Sequence, residues 1–367
     1  PHHPDAHDRE NSKARAVHPQ HEQVIAPLVP HQSVPHTGEE QNQGSHHRHR
    51  RGRWILKCGR RRISQQHIPH HTAAAGGGQA KETDAELVLA SDPDADRVGA
   101  AVKNNEGEWV LLNGNQTALM FVYYLITRWK ELGKINGKEY IVKTIVTTEL
   151  IRTIAEKNGV EVYDVYTGFK WIADVMKKNE GKKNYIGGGE ESYGFLCEDF
   201  VRDKDAVSAC AILAEIAAWA KDQGITMYQL LQNIYVQYGF SKEKGISVVK
   251  KGKSGAEEIE AMMKHFRENP LQEIAGSKVT LFYDYASLKG KDYVENETLT
   301  LDMPTTSNVL QYFTEDGTKV SIRPSGTEPK IKFYCEVHSK VKSLDELPAA
   351  EKAGAEKIEA IKASLGI

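Results

Sequence analysis

The chain has 367 residues, 27% of them charged, and a formal net charge of −2. That length gives room for two or three domains, and so balanced a charge provides no overall field for nucleic acid or a membrane surface. Four cysteines, Cys58, Cys197, Cys210 and Cys335, stand apart with no CxxC pair, which suggests neither a disulfide framework nor a zinc finger and fits a reducing, cytoplasmic setting. No apolar run reaches the roughly 18 residues of a membrane span, because even "AVSACAILAEIAAWAK" is broken by Glu215.

The balance hides a division. Residues 1–80 carry 11 Lys/Arg against 6 Asp/Glu, hold 13 of the 15 histidines and contain no Phe or Tyr, so they lack the material of a core. A basic, His-rich stretch such as "SHHRHRRGRWILKCGRRR" invites a nucleic-acid arm or a metal tract. It has a single aromatic, Trp54, where stacking would want several interleaved, and no repeated ligand spacing. Residues 1–78 therefore read as disordered chain, or as text of another reading frame joined near "GGGQAKETDAELV".

From Glu86 the pattern becomes regular. "ELVLA" is a short buried-type strand, and "VGAAVK" and "EWVLL" flank Asn104, Asn105 and Gly107 as a hairpin does. "NQTALMFVYYLITRWKEL" predicts a helix, with Asn113 or Asn115 as cap and Gly133 as stop. Strand "YIVKTIV", helix "ELIRTIAEKNG", strand "VEVYDV", helix "FKWIADVMKK", strand "NYIGG" and a helix from about residue 205 to 224 follow. Strands separated by helices imply parallel pairing in an α/β domain. A charged linker helix then leads to "KVTLFYDY", "VLQYF", "KVSIRPSG", "KIKFYCEV" and a last helix over 346–364, a smaller α+β domain.

Four loops bear candidate chemistry. "DPDADR" crowds Asp92, Asp94 and Asp96 directly after a strand, and carboxylates so close need a cation, hydrogen bonds or water to offset their repulsion. An EF-hand is excluded because Arg97 and Lys103 stand where it needs Gly and Glu. A phosphatase with Asp92 as nucleophile and Asp94 as acid leaves Asp96 and Arg97 unexplained. A loop offering three oxygens to Mg2+, which favours such ligands at about 2.1 Å, uses all three aspartates.

"GGGEESYG" brings acids and a hydroxyl suited to adjacent sugar hydroxyls. "VRDKDAV" adds Arg202 and Lys204, text that an ordinary solvated charge run also explains. In "RPSGTEPK", Arg323 offers a fork to phosphate oxygens, Gly326 permits close backbone approach, and Ser325 and Thr327 add hydroxyls.

With these four loops in this order, residues 79–367 resemble the α-D-phosphohexomutase family, which includes phosphoglucomutases and phosphomannomutases. "DPDADR", "TGFKWI", "GEESYG" and "RPSGTEPK" carry the resemblance. It implies a mixed α/β phosphohexomutase-type domain followed by the smaller α+β C-terminal domain. Residues 79–106 would end domain 2 with the metal loop, 107–245 form the sugar-binding domain 3, 246–275 a linker, and 276–367 the phosphate-binding domain 4.

It further implies a phosphoryl shift between two sugar oxygens through a bisphosphate. Asp92, Asp94 and Asp96 would hold Mg2+, with Arg97 beside the transferring phosphate. Thr167, Gly168, Glu190 and Ser192 would bind the sugar, and Lys204 would contact substrate and assist proton transfer, although Ala206 replaces the glycine often found after "DKD". Arg323, Ser325, Gly326 and Thr327 would hold the other phosphate.

The partner implied is a small sugar phosphate, and "GEESYG" with "TGFKWI" looks more like the glucose or pentose branch. The family's phosphoserine loop, "TASHNP"-like, is absent, since no Ser-His-Asn occurs in the chain. The chain as given is therefore expected to be inactive as a mutase and to expose apolar surface near "LVLA" and the helix at 115–132. Competing expectations are an aspartate-nucleophile sugar-phosphate phosphatase, and a non-catalytic phosphosugar-binding protein whose basic arm meets an acidic partner.

Overall fold

The computed structural model describes residues 48–49, 52–58, 80, 83–250, 252–326 and 328–367. These lie in one compact unit, Gly44–Ile367. What was expected of the rest of residues 1–78, and of Thr327, falls outside the described residues.

Two strands occur in the segment that the composition left without elements, β1 (Arg48–His49) and β2 (Gly52–Cys58). β2 runs parallel to β3 (Leu87–Ser91), from Trp54↔Leu87 to Cys58↔Ser91. "WIL" is an apolar run inside basic text, and β3, more than 30 residues on, would without it leave an open row of backbone donors and acceptors. β3 continues through the expected hairpin, β4 (Val98–Lys103) and β5 (Trp109–Leu112), giving the sheet order β1-β2-β3-β4-β5.

A second sheet has the order β7-β6-β8-β9, built from β6 (Glu139–Thr144), β7 (Glu161–Val165), β8 (Asn184–Gly189) and β9 (Phe195–Cys197). β6 pairs parallel with β7 and β8, and β9 turns back antiparallel. Its helices are α1 (Gly114–Glu131), α2 (Leu150–Lys157), α3 (Phe169–Asn179), α4 (Ala206–Asp222) and α5 (Met227–Tyr238). Asn113 caps α1 through a reciprocal pair with Gln116, which satisfies two orphan amides. One core joins the inner faces of β3 to β5 with α1, α4 and α5. The exposed apolar surface expected near "LVLA" is thereby corrected: Leu87 and Leu89 are buried in the core shared with α1 and α4, Val88 is buried on the other face with Ala80, Ala85 and Ala101, and Ala90 and most of α1 are buried as well.

The C-terminal sheet runs β10-β17-β16-β15-β12-β13-β14. Its strands are β10 (Phe240–Val249), β11 (Glu273–Ile274, beside β12), β12 (Ser277–Asp284), β13 (Lys289–Asp292), β14 (Glu297–Thr300), β15 (Leu310–Thr314), β16 (Lys319–Pro324) and β17 (Lys330–Ser339). Helices α6 (Gly252–Glu268) and α7 (Leu347–Leu365) cover one face. The stretch 246–275, expected as a linker, is part of this unit. β10 pairs with β17 from Phe240↔Ser339 to Val249↔Lys330, and Ile259, Met263 and Phe266 of α6 fill the core.

Strand alternation sorts β17. Ile331, Phe333, Cys335 and Val337 join that core, and Lys330, Lys332, Tyr334, Glu336 and His338 take the other face. There the sheet meets the second one through charge. Lys319 Nζ lies 2.6 Å from Glu149 Oε1 and 3.0 Å from Glu336 Oε2, and Lys143 Nζ lies 2.8 Å from Glu149 Oε1. Burial opposes ionisation of Glu149, but Lys143 and Lys319 outweigh it and hold its carboxyl down to about 2.

His338 Nε2 lies 2.9 Å from Glu336 Oε1. Burial disfavours its cation, yet Glu336 and Glu243 raise its pKa above the ordinary value of about 6.5 against the opposing charge of Lys319. A raised folded-state pKa contributes stability that is complete below the unfolded value and is lost as pH rises through the folded one. Thermal melts from about pH 6 to about pH 9 are expected to show stability falling in the wild type and a flatter dependence in His338→Gln.

Candidate functional site

β3 ends buried, and the chain reverses at once into β4. Asp92 closes this turn: its Oδ1 accepts the amides of Asp96 (3.1 Å) and Arg97 (3.2 Å). Ala95 takes a left-handed φ of 55°, uncommon for a residue with a Cβ, and its carbonyl accepts the Ala206 amide at the start of α4 (2.9 Å). Burial, and then contact with the Asp96 carboxylate, push the Asp92 carboxyl above its ordinary range. Lys204 Nζ stands 3.2 Å from Asp96 Oδ2, an ammonium offsetting the charge. Among the described residues Arg97 Nε is buried without a hydrogen-bond acceptor, with Asp96 Oδ1 3.8 Å away.

As donors for Mg2+, Asp92 and Asp96 fit, being hard oxygen ligands brought together with their repulsion only partly offset. Asp94 is exposed, and among the described residues no three His, Cys, Asp or Glu side chains gather as a metal site.

The second loop is held by close backbone approaches. A Cβ on Gly188 would sit 2.3 Å from the Val142 carbonyl oxygen, and one on Gly114 would sit 2.0 Å from that of Glu191. Glu190 Oε1 accepts the Gly168 amide (2.7 Å), which places Thr167 and Gly168 against this loop. Tyr193 is held at φ 73°, and its carbonyl accepts the Val98 amide (3.1 Å), tying the loop to the strand leaving the aspartates. Lys204 lays its stem over Gly194. Arg202 instead turns to the surface beside Glu180.

In the third, Arg323 ends β16 and Lys330 opens β17, with the Ser325 amide donating to the Lys330 carbonyl (2.8 Å). Gly326 is exposed with open space around it. Arg323 pairs across the strands with Lys332 and reaches the Tyr334 hydroxyl.

A cavity of about 900 Å3 brings these parts together, lined by Arg97, Glu191, Ser192, Arg323, Ser325 and Lys332 among others. Glu190, Thr167, Gly168, Lys204 and Gly326 do not line it, nor do Asp92, Asp94 and Asp96, so of the first loop Arg97 alone reaches the cavity. Glu191 and Lys332 were missed in the sequence. The adjacent acids of "GEES" and the two-residue alternation after "RPSGTEPK" were the available signals. Burial and repulsion from Lys330 and Arg323 lower the Lys332 pKa against the pull of Glu191. Burial, and then Glu190, raise that of Glu191.

Comparison with known proteins identifies the family. Residues 113–238 match the family "Phosphoglucomutase/phosphomannomutase, alpha/beta/alpha domain III", and residues 248–362 match "Phosphoglucomutase/phosphomannomutase, C-terminal domain". A phosphoglucomutase of Staphylococcus aureus (strain MRSA252) is 38% identical over 255 residues, covering 70% of this chain and 45% of that protein. The chain thus spans about half the length of the curated relatives it matches.

Among solved structures, a phosphoglucomutase/phosphomannomutase family protein from Burkholderia thailandensis shares the fold. Its TM-score is 0.50 at 18% identity, with 81% of this chain and 51% of that chain covered. The Aspergillus fumigatus N-acetylphosphoglucosamine mutase, in complex with GlcNAc-6P and magnesium, is more distant, with 12% identity, a TM-score of 0.40, and 75% and 49% covered. Among the described residues no helix is long and apolar enough to cross a membrane. With both matched regions adjacent and in order, the chain belongs to the phosphoglucomutase/phosphomannomutase family.

Proposed function

We propose that this chain is the sugar-phosphate-gripping part of a phosphosugar mutase, an intramolecular phosphotransferase interconverting a hexose 1-phosphate and 6-phosphate through a bisphosphate. The observation that carries the reading is the one cavity lined at once by Arg97, Ser192 and Arg323. Three loops far apart in sequence supply donors for two phosphates and for the hydroxyls between them.

Arg323, Ser325, Gly326 and Thr327 take the phosphate that stays, with Lys332 adding charge beside them. Ser192 and Glu191 meet ring hydroxyls, while Glu190, Thr167 and Gly168 hold that loop in shape. The unpartnered Nε–H of Arg97 donates to the phosphate being transferred, and Lys204, beside Asp96, contacts substrate and assists proton movement. A Mg2+ ion held by Asp92, Asp94 and Asp96 would supply charge neutralisation for the transferring phosphoryl group.

Phosphoryl transfer asks mainly for positioning and neutralisation, which these groups provide. The covalent carrier would come from a serine outside this chain, with residues 79–106 forming the end of the domain that precedes the sugar-binding one. A glucose-type substrate and a cytoplasmic setting agree with the buried thiols of Cys197 and Cys335 and with the hydroxyl-binding loop.

Calorimetry with glucose 6-phosphate tests this. Binding with a Kd on the order of 1 mM, tightened by Mg2+, is expected, without conversion of glucose 1-phosphate. No binding at ten times that concentration would sink the proposal. Release of inorganic phosphate, abolished by Asp92→Asn and spared by Arg323→Ala, would identify the aspartate-nucleophile phosphatase instead.

A further inference from the structure

From the end of β6 to α2 runs a short segment, residues 144–149, buried as far as Thr148 and touching both halves of the cavity. At one end the Thr144 hydroxyl donates to Glu191 Oε2 (3.3 Å), and the Thr148 amide donates to Asn115 Oδ1 (3.0 Å) at the start of α1. At the other end Glu149 Oε1 receives Lys319 (2.6 Å), while the Glu149 amide (2.6 Å) and the Thr148 hydroxyl (2.7 Å) donate to Glu336 Oε1. Lys143 and Lys319 are 1% and 2% exposed and Glu336 4%, while Glu149, which both lysines meet, is 25% exposed.

Lys319 lies on the same strand and, by alternation, on the same face as Arg323. A single rigid bridge therefore connects the loop of Glu191 and Ser192 to the strand of Arg323.

Apolar residues also meet here, Ile145, Val146 and Tyr166 against Tyr285 and Val309. Apolar contact is non-directional and tolerates sliding. Buried ion pairs are poor stabilisers compared with well-packed apolar replacements, but they demand a particular geometry. What the charges add to this joint is its setting.

We propose that Glu149 is a positioning residue: through Lys319 it sets the gap between the hydroxyl-binding loop and the phosphate-binding strand, so that the joint acts as a ruler selecting ligands with polar groups at both ends. The ligand side of this proposal rests on the functional reading above; the joint itself does not.

The test uses the full 367-residue chain with two probes. Glucose 6-phosphate spans the gap, and inorganic phosphate engages the Arg323 loop alone. In Glu149→Gln the affinity for glucose 6-phosphate is expected to fall about tenfold or more, with inorganic phosphate within about twofold of wild type. Parallel losses for both probes, or no loss for either, overturn the positioning role.

Because an unpaired buried charge can prevent folding, the quadruple variant Lys143→Met, Glu149→Leu, Lys319→Met, Glu336→Gln serves as a second test. It nearly keeps volume and removes the charges of all four, the partner of Lys319 on β17 included, so it is expected to fold and to lose the same selectivity. Hydrogen exchange of residues 145–149 and 319–323 is read on the same samples. If wild type binds phosphate but not the sugar phosphate, the functional reading fails while the joint stands or falls on exchange alone. Faster exchange at both segments in Glu149→Gln supports it, and unchanged exchange overturns it.

Discussion

Lys319→Ala is expected to lower the unfolding free energy by about 3–5 kcal/mol at neutral pH, the usual result of removing one partner from a buried ion pair. The lysine amine lies between Glu149 and Glu336 and also donates to the Thr147 carbonyl (3.1 Å). Without it Glu149, itself partly exposed, still has Lys143 and Arg152, whereas the buried Glu336 keeps, among the described residues, His338 as its close cation. For a chain of this size the loss corresponds to a melting temperature lower by on the order of 10 °C.

The pH dependence separates charge from packing. In the wild type, the lysines hold the carboxyls of Glu149 and Glu336 below their ordinary range. Their contribution is therefore present above about pH 4.5 and lost as pH falls through the folded values. In Lys319→Ala the sign reverses, because protonation relieves the repulsion, so the variant should lose less stability, or regain some, between about pH 7 and about pH 5. Lys319→Met, which keeps most of the volume, should behave like the alanine variant. A loss under about 1 kcal/mol in urea denaturation would mean that water or relaxation screens the pair.

Arg323→Ala is expected to weaken glucose 6-phosphate and inorganic phosphate alike, by about 30- to 100-fold, or roughly 2–3 kcal/mol for a lost charge-assisted, forked contact. Arg323→Lys should recover only part, since an ammonium offers a point charge and no fork. The neighbour moderates the loss. Arg323 is one of the charges that lower the Lys332 pKa, so its removal lets Lys332 hold its proton more firmly and keep some attraction for the anion. Lys332→Ala in the Arg323→Ala background should then remove the remaining binding. Titration calorimetry at two salt concentrations reads both effects, and a single-variant loss of less than about threefold would place the phosphate elsewhere.

The lessons of sequence and structure divide along the range of the forces involved. Short-range rules act within a few residues: the Asn113 cap, the apolar run of Leu87–Ala90, the hairpin around Gly107 and the alternation along β17 are all of this kind. They are written in adjacent letters, and so the α/β unit, the α+β unit and the four candidate loops could be read from the text. β2 could not, because three apolar residues in basic surroundings carry no period, and its pairing depends on a vacant edge more than 30 residues away. Nor could the role of 246–275, whose charged face reads as a linker while Ile259, Met263 and Phe266 quietly make a core face.

By itself, then, the sequence determined which residue types stand ready at each loop: carboxylates at 92, 94 and 96, hydroxyl partners at 190–192, an arginine and hydroxyls at 323–327. Tertiary structure alone decided which of them face one cavity. It turned Glu190 inward to a backbone amide and brought Glu191 and Lys332 to the wall. It also buried Lys143, Lys319 and Glu336 in a joint that no local pattern announces. The reason is physical: a charge pays for burial only when partners from distant segments arrive with opposite sign, and that meeting is settled by packing, not by neighbours in the chain.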